Sequence, residues 1–461
     1  MANKPGGRPW RRNLSPASLF LITVLLIIAI GGALLMTPLA HTAPDSIQVS
    51  QAFFTAVSAV TVTGLSFGAS GADWTLFGQI VIAALMFVGG LGFMTGFILI
   101  LTTLRQSIGT QNRLLVSTDA AVGTLGSVPR IIRNVFLVSV SVQSAAAALL
   151  FIDLYLLSPP WDGLGAGEAA WHAIFHAVSS FSNGGFDILP DTEDGVGSLA
   201  GFSGRYLTLS ITMLTSLFGY ISYPVIQDLW NRRGRFGPLH LDTKLILVGT
   251  LAVAAAGTAL ILLLEFNNPA TLGGLPIGER LMVALFEGST ARVSGLTVID
   301  QGGAMPATQV LNSVLMFIGG AAGSTSGGLK VATLMILVLT AISLMRGSPQ
   351  VVIFRRTVSE LSVRRALMAG FWMVFLLISI QLLLTVLQPD VPPFHTAFEA
   401  ISALATVGLS LGITDQHSIA TQFVLMVAML VGRYGIVFLL LRQIESRPRR
   451  FGYPEESVRV G

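Results

Sequence analysis

Ala56-Val57-Ser58-Ala59-Val60-Thr61-Val62-Thr63-Gly64-Leu65 is one of four stretches of this chain that align without a gap. The others are Ala177-Val178-Ser179-Ser180-Phe181-Ser182-Asn183-Gly184-Gly185-Phe186, Glu287-Gly288-Ser289-Thr290-Ala291-Arg292-Val293-Ser294-Gly295-Leu296 and Ala400-Ile401-Ser402-Ala403-Leu404-Ala405-Thr406-Val407-Gly408-Leu409. Each carries a glycine in the same column (Gly64, Gly185, Gly295, Gly408) and a serine six residues before it. The column glycines are 121, 110 and 113 residues apart, and four copies of one unit is the simplest account of that spacing. Each stretch ends an apolar segment of about 10–14 residues, too short to cross a bilayer and of re-entrant length.

The surroundings are those of a membrane protein. The chain has 461 residues, 52% hydrophobic and 11% charged, with a mean hydropathy of +0.75, too apolar for a soluble globular domain. Eight apolar spans can be drawn, at 17–37, 75–102, 135–157, 204–230, 242–265, 306–345, 366–388 and 418–441. The first is longer than the apolar core of a signal peptide, so it reads as a retained span. The helices after the stretches align as well: Met86-Phe87-Val88-Gly89-Gly90 matches Met316-Phe317-Ile318-Gly319-Gly320 and Met429-Leu430-Val431-Gly432-Arg433. The second copy matches at Gly219 only after about ten extra residues in the acidic loop 187–203. The units therefore run over 17–104, 135–230, 242–345 and 366–441, with a cytoplasmic linker at 105–134 and tails at 1–16 and 442–461. The expected fold is an all-α membrane protein: eight transmembrane helices and four re-entrant pore loops, pseudo-symmetric about one pore.

Charge orients it. Both tails and every second loop collect Lys and Arg, 22 of the 27 basic residues, which places both termini in the cytoplasm. The opposite loops hold three basic residues (Arg205, Arg280, Arg292) and sixteen acids. Such a negative face can concentrate cations at a pore mouth, although ordinary solvated loops also carry acids. There is no cysteine, so disulfide, thiol and thiolate-metal chemistry are excluded.

A cation leaving water needs its hydration shell replaced, and rings of backbone carbonyls can do this where the chain leaves helical geometry. Glycine permits such geometry and a close approach to the axis. Non-helical backbone at membrane depth is tolerated where it is buried in protein or lines a watery cavity, so four such segments imply a lined pathway. Single glycines in a chain with 49 of them could serve helix packing alone, but packing explains neither the shared serine nor the outer placement.

The pattern resembles the Trk/Ktr/HKT superfamily of potassium transporters, over nearly the whole chain. Val62-Thr63-Gly64, Asn183-Gly184-Gly185, Val293-Ser294-Gly295 and Thr406-Val407-Gly408 look like its four filter sequences. The first span begins at residue 17 without the extra leading helices of Trk-type members, which favours the bacterial Ktr-type membrane subunit. Two positions depart from the pattern: Gly184 adds backbone freedom, and Val293 stands where a small polar residue is expected. The resemblance implies potassium uptake across a bacterial plasma membrane, K+ as the transported ion, Na+ as a candidate activator and no organic cofactor. It also implies a homodimer with one pore per protomer and a cytosolic nucleotide-binding ring as regulator.

The sixth span is interrupted by Gly319-Gly320-Ala321-Ala322-Gly323-Ser324-Thr325-Ser326-Gly327-Gly328, whose five glycines give it weak helix propensity. The resemblance makes this segment a mobile intramembrane gate; a tight interhelical packing stretch is the alternative. Arg433 lies mid-span where two other copies carry glycine, and a charge there is costly unless it faces a partner or water. It is expected to face the pore, as an electrostatic barrier that bonds loop carbonyls when the gate is closed. Lys330 reads as a lysine snorkelling at a span end. Arg292 is expected to pair with an acid such as Glu287. Glu168, His172 and His176 share a helix face, and the absence of a third strong ligand beside them favours support of the pore helix over zinc.

Two rival classes remain to be weighed. A membrane enzyme has no support in any nucleophile-base pair, metal motif or phosphate-binding loop. A secondary transporter also uses broken helices, but usually with two repeats around a midplane site, against four here. Sodium permeation or weak selectivity is the alternative within the cation-channel reading.

Overall fold

The computed structural model describes residues 16–43, 48–68, 70–107, 128–157, 165–189, 198–348 and 350–435. The tails that carry the expected cytoplasmic charge, most of the 105–134 linker and the tip of the acidic loop lie outside the described residues. The chain is helical: α1 (Pro16–Leu35), α2 (Val49–Thr61), α3 (Leu76–Ser107), α4 (Val128–Phe151), α5 (Ala166–Ser182), α6 (Tyr206–Tyr220), α7 (Tyr223–Asn231), α8 (Leu241–Glu265), α9 (Ile277–Phe286), α10 (Pro306–Phe317), α11 (Val331–Met345), α12 (Glu360–Leu387), α13 (Pro393–Ala405) and α14 (Ile419–Leu430). Side-chain caps start two of them, Ser359 accepting from the Ser362 amide and Ser418 from the Thr421 amide. Proline opens α10 and α13, where its missing N–H costs nothing.

Among the described residues, three helical stretches, Arg130–Leu157, Leu241–Glu265 and Glu360–Leu387, are long and apolar enough to cross a membrane. Their large apolar side chains point outward: Leu263 and Val386 are 75% and 76% exposed, an arrangement that suits hydrocarbon and not water. The short helices α2, α5, α9 and α13 are buried toward their C-terminal ends. They are joined head to tail by the helices that follow them. α3 packs on α5, α6 on the π turn that continues α9, α10 on α13, and α14 returns to α2. The last unit thereby lies against the first.

Two expected spans are broken. The 204–230 span is two helices that meet at 94°, because Ser222 takes a positive φ of 50° and Pro224 follows it at the start of α7. The 306–345 span stops at Phe317 and resumes at Val331, so the break is a little wider than the glycine run. Its two ends are cinched by a short parallel pairing of Ile318 with Leu329 and Gly319 with Lys330. A two-stranded antiparallel hairpin, Val352–Ile353 with Arg356–Thr357, precedes α12.

Candidate functional site

Three of the four short helices end alike. The residue two before the column glycine is left-handed (Val62 φ 56°, Asn183 φ 56°, Thr406 φ 51°), and its amide bonds back three residues, to Ala59, Ser180 and Ala403. The next amide reaches the carbonyl of the shared serine: Thr63 to Ser58 at 2.8 Å, Gly184 to Ser179 at 2.8 Å and Val407 to Ser402 at 2.9 Å. The column glycines follow with φ of 91°, 72° and 99°, conformations that L side chains rarely adopt. The shared serines bond forward too, Ser58 and Ser402 accepting the amides of Gly64 and Gly408 at 3.0 Å, and Ser179 donating to the Phe186 carbonyl at 2.7 Å. The third copy differs where the sequence departs. A π turn over Glu287–Ala291 leads into a helical turn Arg292–Ser294, Val293 stays helical, and Gly295 alone reverses the chain at φ 72°.

The four glycines close a ring. A side chain on Gly64 would strike the Gly184 carbonyl and the Cα of Gly185; on Gly185, the Ser294 carbonyl and the Cα of Gly64; on Gly295, the Val407 carbonyl and the Cα of Gly408; on Gly408, the Thr63 carbonyl and the Cα of Gly64. Each quarter's carbonyl just before the column glycine thus lies against the preceding quarter's glycine, in cyclic order. The ends of α2, α5 and α13, which carry the negative pole of each helix dipole, reach this ring and favour a cation there.

Beside the ring lies the segment between α10 and α11. Thr325 is its hub: its amide donates to the Gly219 carbonyl at 3.2 Å, its hydroxyl to the Phe181 carbonyl at 3.3 Å, and the Asn183 side-chain Nδ2 donates to that hydroxyl at 2.7 Å. Arg433, 2% exposed, donates to the Thr325 carbonyl. Gly319 and Gly320 are held by Tyr220, whose hydroxyl donates to the Gly319 carbonyl at 3.1 Å, and by Ser326, which accepts the Gly320 amide at 2.9 Å. Gly323 and Gly328 turn the chain at φ 73° and 69°, Ser324 is fully buried, and Gly327 presses on Thr406.

Two sequence expectations are corrected. Arg292 does not pair with Glu287: it donates to the Gly288 carbonyl at 3.2 Å and the Ile318 carbonyl at 3.1 Å, and lies over the Tyr220 ring at 5.2 Å. Glu287 instead accepts from Thr297 at 2.9 Å and the Val298 amide at 2.7 Å. Lys330 does not snorkel; its Nζ turns back to the Ser326 carbonyl at 2.6 Å, because that loop offers carbonyls that helices do not satisfy. No three His, Asp or Glu side chains converge on a metal site among the described residues, and His176 lies 2.9 Å from Asp187. Sequence reasoning missed Tyr220 and Phe181. Gly89, Gly219 and Gly432 press on the carbonyls of Val60, Phe181 and Leu404, each four residues before a column glycine. That equivalence puts Tyr220 in the column of Gly90, Gly320 and Arg433.

The family model of TrkH, described as a cation transport protein, matches residues 41–450. The chain is 34% identical to the Ktr system potassium uptake protein B of Bacillus subtilis over 98% of both chains, and 32% identical to the potassium/sodium uptake protein NtpJ of Enterococcus hirae, also over 98% of both. Among solved structures it resembles the potassium transporter TrkH from Vibrio parahaemolyticus, with a TM-score of 0.71 at 21% identity, covering 95% of this chain and 88% of that one. A multi-pass helical chain with these relatives and this match along most of its length belongs to the TrkH family of cation transport proteins.

Proposed function

We propose that this protein takes up potassium through a channel-like pore of eight transmembrane helices and four re-entrant loops, selected by the carbonyls around Gly64, Gly185, Gly295 and Gly408. The cyclic contact of those glycines carries the reading: it brings four chain reversals, with the carbonyls beside them, into one ring at the ends of three helix dipoles. The segment 319–328 acts as the gate, with Arg433 as barrier and latch. The relatives' names support potassium as the ion, and their full-length match supports a Ktr-type membrane subunit of a bacterial plasma membrane, both termini cytoplasmic. A homodimer under a cytosolic nucleotide-binding ring completes the proposal.

The test is rubidium and potassium uptake by potassium-starved cells that lack their own transporters. Wild type should restore uptake, and Gly64→Ser should lower potassium-over-sodium discrimination, since a side chain there collides with the Gly184 carbonyl. Equal discrimination in both would remove the filter assignment. The name of the Enterococcus relative favours measuring sodium uptake in the same cells, and sodium transport at rates equal to potassium would replace the selective reading with a weakly selective one.

A further inference from the structure

Behind the ring, three quarters share a buried cross-brace that no filter residue supplies. In each, a polar side chain on the short helix, or on the π turn that continues it, eight or nine residues before the column glycine, meets the residue two after it. His176 lies 2.9 Å from Asp187, Glu287 accepts the Thr297 hydroxyl at 2.9 Å, and Glu399 accepts the Ser410 hydroxyl. The helix partners are almost wholly buried, at 4%, 1% and 0% exposure. Each brace is itself backed: Asp187 accepts the Leu189 amide at 2.7 Å, Gln301 reaches Glu287 at 3.3 Å, and Thr414 donates to Glu399 at 3.2 Å with His417 Nε2 4.0 Å from its second oxygen. The first quarter is the exception. The equivalent residues, Thr55 and Ser66, share no bond among the described residues, and Thr55 lines a cavity of about 230 Å³ with Asp73 and Asp415.

We propose that these braces are positioning elements that set ion discrimination, on the reading that the glycine ring is the filter. A smaller cation gains coordination only if the carbonyls move inward, and the carbonyls of a flexible ring can follow it. Each brace ties the descending limb just past the glycine to the buried helix behind it, so that limb resists the inward pull. The first quarter, unbraced, is the compliant wall.

The experiment measures radiolabelled rubidium influx into proteoliposomes holding the full chain, with potassium and sodium as competitors. Ser410→Ala and Thr297→Val each remove the hydroxyl end of one brace with little change of volume. Each should shift the potassium-to-sodium competition ratio toward sodium by about tenfold, the scale of one hydrogen bond to a charged group. Glu399→Gln keeps an acceptor for Ser410 and should restore most of that ratio relative to Glu399→Ala. If both hydroxyl variants keep the wild-type ratio while Gly64→Ser loses it, the braces do not set discrimination and the filter stands. Uptake that falls only in proportion to folded protein, at an unchanged ratio, overturns the proposal in the same way. An unchanged ratio in Gly64→Ser as well removes the filter reading itself.

Discussion

The Arg433 guanidinium donates to the main-chain carbonyl of Thr325, joining the π turn Val431–Gly435 that follows α14 to the α10–α11 break across 108 residues of sequence. A buried guanidinium holding a loop carbonyl is both a charge beside the glycine ring and a strap on that loop. Arg433→Ala should therefore raise rubidium influx in proteoliposomes without any regulatory subunit by about tenfold, the worth of one charge-assisted hydrogen bond. Unchanged influx and unchanged gating would sink both roles.

Gly219 bears on the same loop from the other side. A methyl there collides with the Phe181 carbonyl and comes within 2.8 Å of the Thr325 hydroxyl. Gly219→Ala should destabilise the folded protein by about 1–3 kcal/mol, as overpacking does, and displace Asn183 from Thr325. Gly432→Ala, whose nearest contacts are all with the Leu404 main chain, should destabilise similarly without bearing on Thr325. Thermal unfolding in detergent, paired with influx, separates the two: equal melting losses with altered gating in Gly219→Ala alone are expected.

Arg292 is 1% exposed and ties the Ile318 carbonyl to Tyr220. Arg292→Met keeps much of the volume but leaves that carbonyl without its donor, at a cost of about 1–3 kcal/mol. The melting temperature should drop clearly. A melting temperature equal to wild type would show that the contact is dispensable.

Outside the spans, His41 packs against Trp74 with ring centroids 4.3 Å apart and the planes tilted by 43°. Burial pushes its imidazole below the ordinary 6.5, outweighing the pull of the Leu35 carbonyl and Asp73 in the other direction. A ring whose folded value is depressed is favoured neutral by the fold. Its contribution is therefore complete above the unfolded value and is lost as pH falls through the folded one. Melting followed from pH 7.5 to about 5 should show an acid-side loss that His41→Phe reduces; identical slopes would exclude His41 as its source.

The ring is legible in the amino-acid sequence because a column of glycines at near-equal spacing stands out from the unlike residues around it, and because each sits just past a short apolar segment. The loop break is legible from its five glycines. Partner choice is not. Glu287 and Arg292 are near in sequence, and proximity suggests an ion pair, yet the π turn between them leaves the arginine facing the carbonyls opened by the break at Ile318. Lys330 misleads for a related reason: snorkelling assumes an intact helix, and the loop before it has none. The bend at Ser222 is hidden because apolar residues continue on both sides, so hydropathy sees one span where the backbone makes two.

All four walls of the glycine ring come from a single polypeptide. In an assembly of four identical chains, one codon change would alter every wall at once. Here it alters one wall in every molecule, leaving three intact as internal references. The number of altered walls can thus be stepped from one to four by adding substitutions, and each wall can diverge on its own, as the third already has with its π turn.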